Sequence, residues 1–421
     1  MKNKKINKRP ISITLVAVPA IIFTIILVMS FFIKTSLSCL LPLNLLIFSM
    51  IFMVISIVLI FVNLGKNSKR TVVFIISSAS FFILMIVSIF LLIFYALSTI
   101  KIEYEPAEEI KGDYVKTFDT PGEARDIFVE KNYGYIADGK EGLQIINVSP
   151  IEDTYIVGSC DTDGKASSIC VQNNFVYIAD WDGGLKIIDI SDKENPYIIG
   201  SYCISGLRFT SISVEKESVY VTYRKYDKDD NPIESGIQII DTSSKEKPYL
   251  VAEYITTSRA EKIIVYDIYA FVICNNDEDY KSIKSELQII DISNPEKPVA
   301  VGKCIIDGYT FNLFMVEDYA YIASENGLYI IDISDKKKPI IAGKFLSYTA
   351  TDIFVEDDIA YIIYFPPAGS DENSMHVVDV FLKKSPEFIK NLFYPIGSSN
   401  SIFIEGNYIY ITDDNIQILE K

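Results

Sequence analysis

The tripeptide Ile-Ile-Asp returns at near-regular intervals through the last three quarters of the chain, and this recurrence restricts the fold more than any other feature. Its seven copies are Ile145-Ile146-Asn147, Ile187-Ile188-Asp189, Ile239-Ile240-Asp241, Ile289-Ile290-Asp291, Ile330-Ile331-Asp332, Val377-Val378-Asp379 and Ile418-Leu419-Glu420, spaced by 42, 52, 50, 41, 47 and 41 residues. A period of about 40–50 residues holding several short β-rich runs is the mark of a propeller, in which each blade is a four-stranded sheet.

The second copy shows the runs plainly as SSICVQ, FVYIAD, GLKIIDI and PYIIGSYC, separated by the turn residues NN, DGG and DKEN. They are designated strands a, b, c and d. Apolar runs without strict alternation fit sheets covered on both faces by neighbouring sheets. In the c–d turn, the Asp189 carboxylate and the Ser191 hydroxyl are expected to accept backbone N–H groups. Pro196, seven residues after Asp189, is expected to open strand d, an edge position that tolerates a residue without an N–H. The same spacing recurs at Asp241/Pro248, Asp291/Pro298, Asp332/Pro339 and Asp379/Pro386, whereas the first copy departs with Asn147 and Thr154. These residues are structural punctuation and not catalytic groups.

The ends of the repeat region are complementary. The last copy, NSIFIEGNYIYITDDNIQILEK, supplies strands a, b and c, while YVKTFDTPG at 114–122 reads as a lone strand d before the first strand a. Pairing the two closes the ring and hides both sheet edges. The expected fold over 113–421 is therefore all-β, a seven-bladed β-propeller of four-stranded blades closed by an N-terminal strand. The segment SELQIIDISNPEKPVAVG from Ser285 resembles the LVIVD repeat of bacterial and archaeal surface-associated β-propellers. The resemblance covers roughly residues 110–421 on the repeat period. It implies the ring and no particular chemistry.

Residues 1–100 are of another kind. They hold no Asp or Glu and nine of the 39 Lys and Arg, which leaves 30 basic against 55 acidic residues after residue 100, or charges of +9 and −25 for the two parts. Three apolar runs, about 11–33, 37–64 and 71–98, each meet the roughly 20-residue requirement of a bilayer-spanning helix. The first is too long for the apolar core of a cleaved signal peptide, and SFFIKTSLS offers no good cleavage site. The basic stretches MKNKKINKR and GKNSKR stay inside by the positive-inside rule. The expectation is thus a multi-pass plasma-membrane protein with a cytoplasmic N-terminus, a linker at 101–112 and an extracytoplasmic propeller. The spans carry no interior acid or base, so they read as an anchor and not an ion path; Asn44 and Asn63 near their ends are of the type that joins helices.

Catalytic constellations are absent from the sequence. The single histidine, His376, stands at a strand c position occupied by Gln144, Lys186, Gln238 and Gln288 in other copies, and the six cysteines are scattered without a C-x-x-C. A zinc site of His/Cys type is nearly excluded, and no G-x-S-x-G, P-loop or G-x-G-x-x-G occurs. The sole tryptophan, Trp181, disfavours a quinone cofactor resting on indoles. No cofactor is expected. Calcium is the one ion the sequence raises, because Asp227, Asp229 and Asn231 alternate in DKDDNPIESGIQ; Pro232 and Gln238, however, stand where the tight-turn glycine and bidentate glutamate would be. Asp161/Asp163 and Asp180/Asp182 form two further such pairs.

Loop geometry points to a face. With this strand order the d–a and b–c loops share one face of the ring, and the insertions that stretch the period all fall in b–c: TYRKYDKDDNPIESG, CNNDEDYKSIKSE and YFPPAGSDENS. Variable loops on a rigid scaffold are where binding usually resides. The openings of strands a should ring the channel mouth on that face with Arg125/Asp126, Ser167/Ser168, Thr210/Ser211, Glu261/Lys262, Asn312, Thr351/Asp352 and Asn400/Ser401. Trp181, Arg208, Arg224, Tyr226 and Arg259 add residue types favoured at binding hot spots. The acidic charge excludes nucleic acid and leaves basic proteins, cations or neutral ligands. The expected role is a protein or peptide recognition or scaffold module, with oligomeric state open. The rival is a hydrolase or lyase using Asp126, Glu261 or Asp352 with Lys262 or Arg125 at the channel mouth.

Overall fold

The computed structural model describes residues 114–276, 284–365, 373–394 and 400–421, and over them the chain forms seven four-stranded sheets, all antiparallel. In six, four consecutive strands pair in chain order; blade 1 uses Asp126–Glu130, Tyr133–Ala137, Leu143–Asn147 and Tyr155–Cys160. Blade 7 joins Ser401–Glu405, Tyr408–Thr412 and Ile416–Glu420 to Tyr114–Phe118. This is the expected closure, and Thr117 fastens it by donating its hydroxyl to Gln417 Oε1 at 2.7 Å. The three apolar runs and the linker lie outside the described residues. Among the described residues no helix is long and apolar enough to cross a membrane.

Strands a form the hub. They run Asp126–Glu130, Ser168–Gln172, Leu207–Glu215, Arg259–Tyr266, Thr310–Val316, Ala350–Glu356 and Ser401–Glu405, and each touches the next around the ring, the seventh touching the first. Strands b and c are buried on both faces, while strand d is half exposed at the rim.

The core is divided among the gaps between blades. Seven apolar clusters of the described residues each join two neighbouring blades. That division explains the paired branched residues of the repeat, because neighbours on a pleated strand point to opposite faces. Ile187 enters the cluster shared with blade 3, and Ile188 the one shared with blade 1. Ile289/Ile290, Ile330/Ile331 and Val377/Val378 divide in the same way. All are fully buried, a contribution of about 1.5–3 kcal/mol per side chain.

The aspartates of the repeat build the c–d turns. The Ser191 N–H donates to Asp189 Oδ1 at 2.8 Å, and equivalent bonds occur at Asp241, Asp291, Asp332, Asp379 and the variant Asn147. The serine hydroxyl behaves differently from the expectation: in Ser243 and Ser334 it donates to the same carboxylate, at 2.6 Å. These bonds hold Asp241 and Asp332 below the usual carboxylate range. Four of these turns also pack on the preceding blade. A Cβ at Gly158, Gly200, Gly302 or Gly343 of strand d would overlap the carbonyl oxygen of Lys193, Lys245, Lys336 or Lys383 in the next blade's turn.

Candidate functional site

The channel mouth is assembled by backbone bulges. In blades 3 to 6 one residue of strand a is inserted opposite strand b, between Phe209 and Ser211, Ala260 and Lys262, Thr310 and Asn312, and Ala350 and Asp352. A bulge re-aims side chains and bends its strand. Residues at this level latch neighbouring hubs: Asp126 in blade 1, which has no bulge, and Ser211, Asn312 and Asp352 directly after the bulges of blades 3, 5 and 6. Asp126 Oδ2 accepts the Ser168 hydroxyl at 3.0 Å and the Ile169 N–H at 3.1 Å, while its Oδ1 accepts the Ser401 hydroxyl at 3.1 Å. Ser211 Oγ accepts the Ile263 N–H at 3.3 Å. Asp352 accepts the N–H groups of Ile353 at 2.7 Å and Ile402 at 2.8 Å, together with the Asn312 side-chain amide. Asp352 is buried, and burial pushes its carboxyl up to about 7 against the pull of Lys262 and the two backbone amides. These bonds join Asp126 to blades 2 and 7, Ser211 to blade 4, and Asp352 to blades 5 and 7, so the Asp126 and Asp352 carboxylates are engaged in joining blades.

Above the ring stands a hairpin. The third b–c insertion, expected as a loop, is mostly strand: Ser218–Tyr226 and Pro232–Asp241 pair through Arg224↔Ser235 and Lys225↔Glu234. Tyr223 to Tyr226 continue strand b four residues beyond Thr222, which lies opposite the latch residue Ser211. At about 3.3 Å per residue this lifts the turn roughly 13 Å above the latch ring. The corresponding insertions at 277–283 and 366–372 lie outside the described residues.

Two arginine clusters brace this hairpin. Arg208 Nε donates to Asp182 at 2.8 Å, its other end lies 2.8 Å from Asp230, and its guanidinium sits 4.1 Å from the Tyr226 ring centroid and 5.8 Å from that of Trp181. The bond from Asp182 raises the Arg208 pKa further, so its charge is permanent. Trp181, held at a φ of 48°, accepts the Phe209 N–H on its carbonyl at 3.1 Å. Blade 2 is thereby tied to blade 3. On the other side Arg224 donates to both oxygens of Glu261, at 2.9 and 2.8 Å. Arg259 lies 3.3 Å from the same carboxylate and 5.1 Å from the Tyr309 ring. The structure thus brings Trp181, Arg208 and Tyr226 together, and separately Arg224, Arg259 and Glu261. Arg125 stands apart, paired with Glu123 at 2.7 Å. Asp182, raised in the sequence only as half of an Asp-x-Asp pair, is instead a partner of Arg208; Asp230 and Tyr309 were missed, their only signal being an acid or aromatic residue in loops of the same face.

The remaining candidates are built into turns or core. Asp227 Oδ1 accepts the N–H groups of Asp229 and Asn231 at 2.9 Å each, which closes the hairpin turn and lowers the Asp227 pKa. Asp180 is fully buried, accepting Thr162 Oγ1 at 2.7 Å and the Gly164 N–H at 2.9 Å, and burial raises it to about 6. Among the described residues no group of three or more His, Cys, Asp or Glu is arranged to hold a metal ion. His376 is buried 4.2 Å from Tyr364 and 5.4 Å from Phe388, ring to ring, and burial lowers its pKa. Cys160, Cys170, Cys203, Cys274 and Cys304 are all free thiols.

Comparison with known proteins agrees with this architecture. The model of the LVIVD repeat matches residues 121–162, 163–203, 259–305, 307–347 and 396–418. The unmatched stretches hold blades 3 and 6, whose b–c segments are lengthened, yet both are four-stranded blades like the rest. Among solved structures the chain is similar to the WD40 β-propeller domain of Doa1, at 12% identity and a TM-score of 0.53 over 74% of this chain and 97% of that one. It is also similar to the computationally designed Ika8 protein, at 10% identity and a TM-score of 0.49 over 74% of this chain and 100% of that one. No curated protein matches the chain.

Proposed function

From the premise that this chain is an LVIVD-repeat β-propeller, we propose that it is a recognition or scaffold module, tethered by its N-terminal helices outside the plasma membrane, that binds a protein or peptide on the face of the d–a and b–c loops. The observation that carries this reading is the blade 3 hairpin. It rises from a rigid ring and is braced on one side by Arg208, set against Tyr226 and Trp181, and on the other by Arg224 paired with Glu261, beside Arg259 and Tyr309, so the face presents preorganised Trp, Tyr and Arg. Such residues dominate binding energies where they are held in place. Exposed Ile204, Ile233 and Ile255 supply apolar surface on the same face, at 37%, 59% and 57% exposure. The carboxylates on which an enzyme reading would rest, Asp126, Glu261 and Asp352, are each occupied by partners in neighbouring blades, so recognition is the better supported reading.

Crosslinking capture from intact membranes tests it. Native protein is compared with a variant whose blade 3 hairpin is cut to the length of the blade 5 connection between Ser324 and Gly327. A partner caught by the native chain and lost from the variant is the expected result. Identical capture by both would remove the hairpin from the argument.

A further inference from the structure

The opposite face holds a cavity that the recognition surface does not use. It lies between the a–b turn of blade 7 and the c–d turn of blade 1, has a volume of about 440 Å³, and is lined by Glu405, Tyr408, Tyr410, Val148, Ser149 and Lys131, among others. Its meaning comes from four other blade junctions, where a lysine of the chain itself takes the corresponding place. Lys193 lies 5.0 Å from the ring centroid of Tyr133, and Lys245 lies 5.6 and 5.8 Å from those of Phe175 and Tyr177. Lys383 lies 5.5 and 5.8 Å from those of Tyr319 and Tyr321, and Lys421 lies 5.8 Å from that of Tyr361. In every case the aromatic residue is the first or third of strand b in the preceding blade. Lys383 also pairs with Asp358 at 2.6 Å, and Lys421 with Glu356.

Blade 7 has the same receptor. Tyr408 and Tyr410 are the first and third residues of its strand b, and Glu405 ends its strand a in IFIE as Glu356 ends that of blade 6 in IFVE. The incoming lysine is missing. Where blade 2 reads SDKEN, blade 1 reads SPIED, with Ile151 at the lysine position, buried in the apolar cluster that contains Tyr410. Lys131 does not substitute, since its side chain is 80% exposed and its ammonium pairs with Glu130. Blade 4 also lacks the lysine, with Pro295 in its place, but blade 3 offers Ser218 where the first aromatic would stand. Blade 3 does keep Tyr220 in third place, so among the described residues the junction that offers both aromatics, an acid and no lysine is the ring seam.

We propose that this cavity binds a lysine side chain of a partner protein, its ammonium against the Glu405 carboxylate and its alkyl stem across Tyr408. Ammonium over aromatic faces and beside a carboxylate is a favourable combination, and the acid excess of the propeller attracts basic segments. The proposal is independent of the hairpin face, which lies at the other end of the ring.

Saturation-transfer NMR on the full chain in detergent tests it, with Nα-acetyl-lysine methylamide as probe and the norleucine analogue as the uncharged control. The lysine probe is expected to bind saturably and the norleucine probe not. Glu405→Gln should weaken binding by about tenfold or more. Ile151→Lys, which restores the repeat's own lysine, should abolish it by filling the cavity from within. Equal saturation by both probes, absence of binding by the lysine probe, or lysine binding unchanged in both variants would overturn the proposal.

Discussion

At the scale of the residue, the fold turns on positions where one atom more or one proton fewer matters. Gly200 and Gly343 leave room for the Lys245 and Lys383 carbonyls of the next blade, so an added methyl group must push two blades apart. Gly200→Ala and Gly343→Ala should each lower stability by about 1–3 kcal/mol, the usual cost of overpacking, read as a shift of the urea midpoint. Asp352 acts through its proton. Burial pushes it up to about 7, with Asp126 adding to the rise and Lys262 opposing it. A carboxyl whose folded-state pKa is raised holds its proton more tightly when folded. Its stabilising contribution is complete below the ordinary value of 3.8 and is lost as pH climbs through about 7; Asp180, raised to about 6, acts in the same direction. The native urea midpoint should therefore fall between pH 5 and pH 8 by more than that of Asp352→Asn, a difference of at most a few kcal/mol. Parallel pH profiles would show that Asp352 is ionised throughout.

At the scale of the element, the same sequence is legible in its periodic parts and opaque where pairing depends on distant partners. The paired isoleucines, the Asp-Ser turns and the proline before strand d could be read because each is set by the chain within a few residues of itself. The latch ring could be placed by aligning copies, but its bonds could not, since nothing local to Asp126 says that Ser401, 275 residues away, donates to it. The blade 3 insertion was opaque for a related reason. Its run of charged residues with Pro232 has the composition of a loop, yet it extends the b–c ladder as strand, with Lys225 and Glu234 facing each other 3.1 Å apart at their charged ends. Glu261 carries much of that bracing, since Arg224 and Arg259 both converge on it. Glu261→Ala should speed amide exchange across 223–236 by about tenfold or more while shifting the global unfolding midpoint little, because the hairpin can open without the ring. Exchange that stays slow would show that strand pairing alone holds the hairpin.

At the scale of the whole molecule, stability is a matter of neighbours until the ring closes. Each apolar cluster joins two blades, so an open row of seven blades would have six such clusters and two bare faces; closure supplies the seventh, between blades 7 and 1. The closing strand holds blade 7 in place with residues that depart from the repeat for this purpose. Where four other blades carry a glycine in strand d, this strand carries Lys116, opposite Ile418, and its ammonium donates to the Glu152 carbonyl of the blade 1 turn at 3.0 Å. One side chain thus stands in for the backbone packing that ties blades elsewhere. Deleting 114–118 should therefore do far more than its five residues imply. It strips the outer strand from blade 7, exposes the ladder of Ile416–Glu420 as a free edge that can pair with another chain, and loosens the seam cluster. The expected outcome is loss of a cooperative urea transition together with added self-association on gel filtration, whereas Lys116→Ala, which removes only the bond to Glu152, should keep the native elution volume and lose about 1 kcal/mol. A deletion variant that kept the native elution volume and an unchanged transition would mean that six clusters and a three-stranded seventh blade suffice to hold the ring, and that the closing strand is a linker laid against the ring and not the strand that completes it.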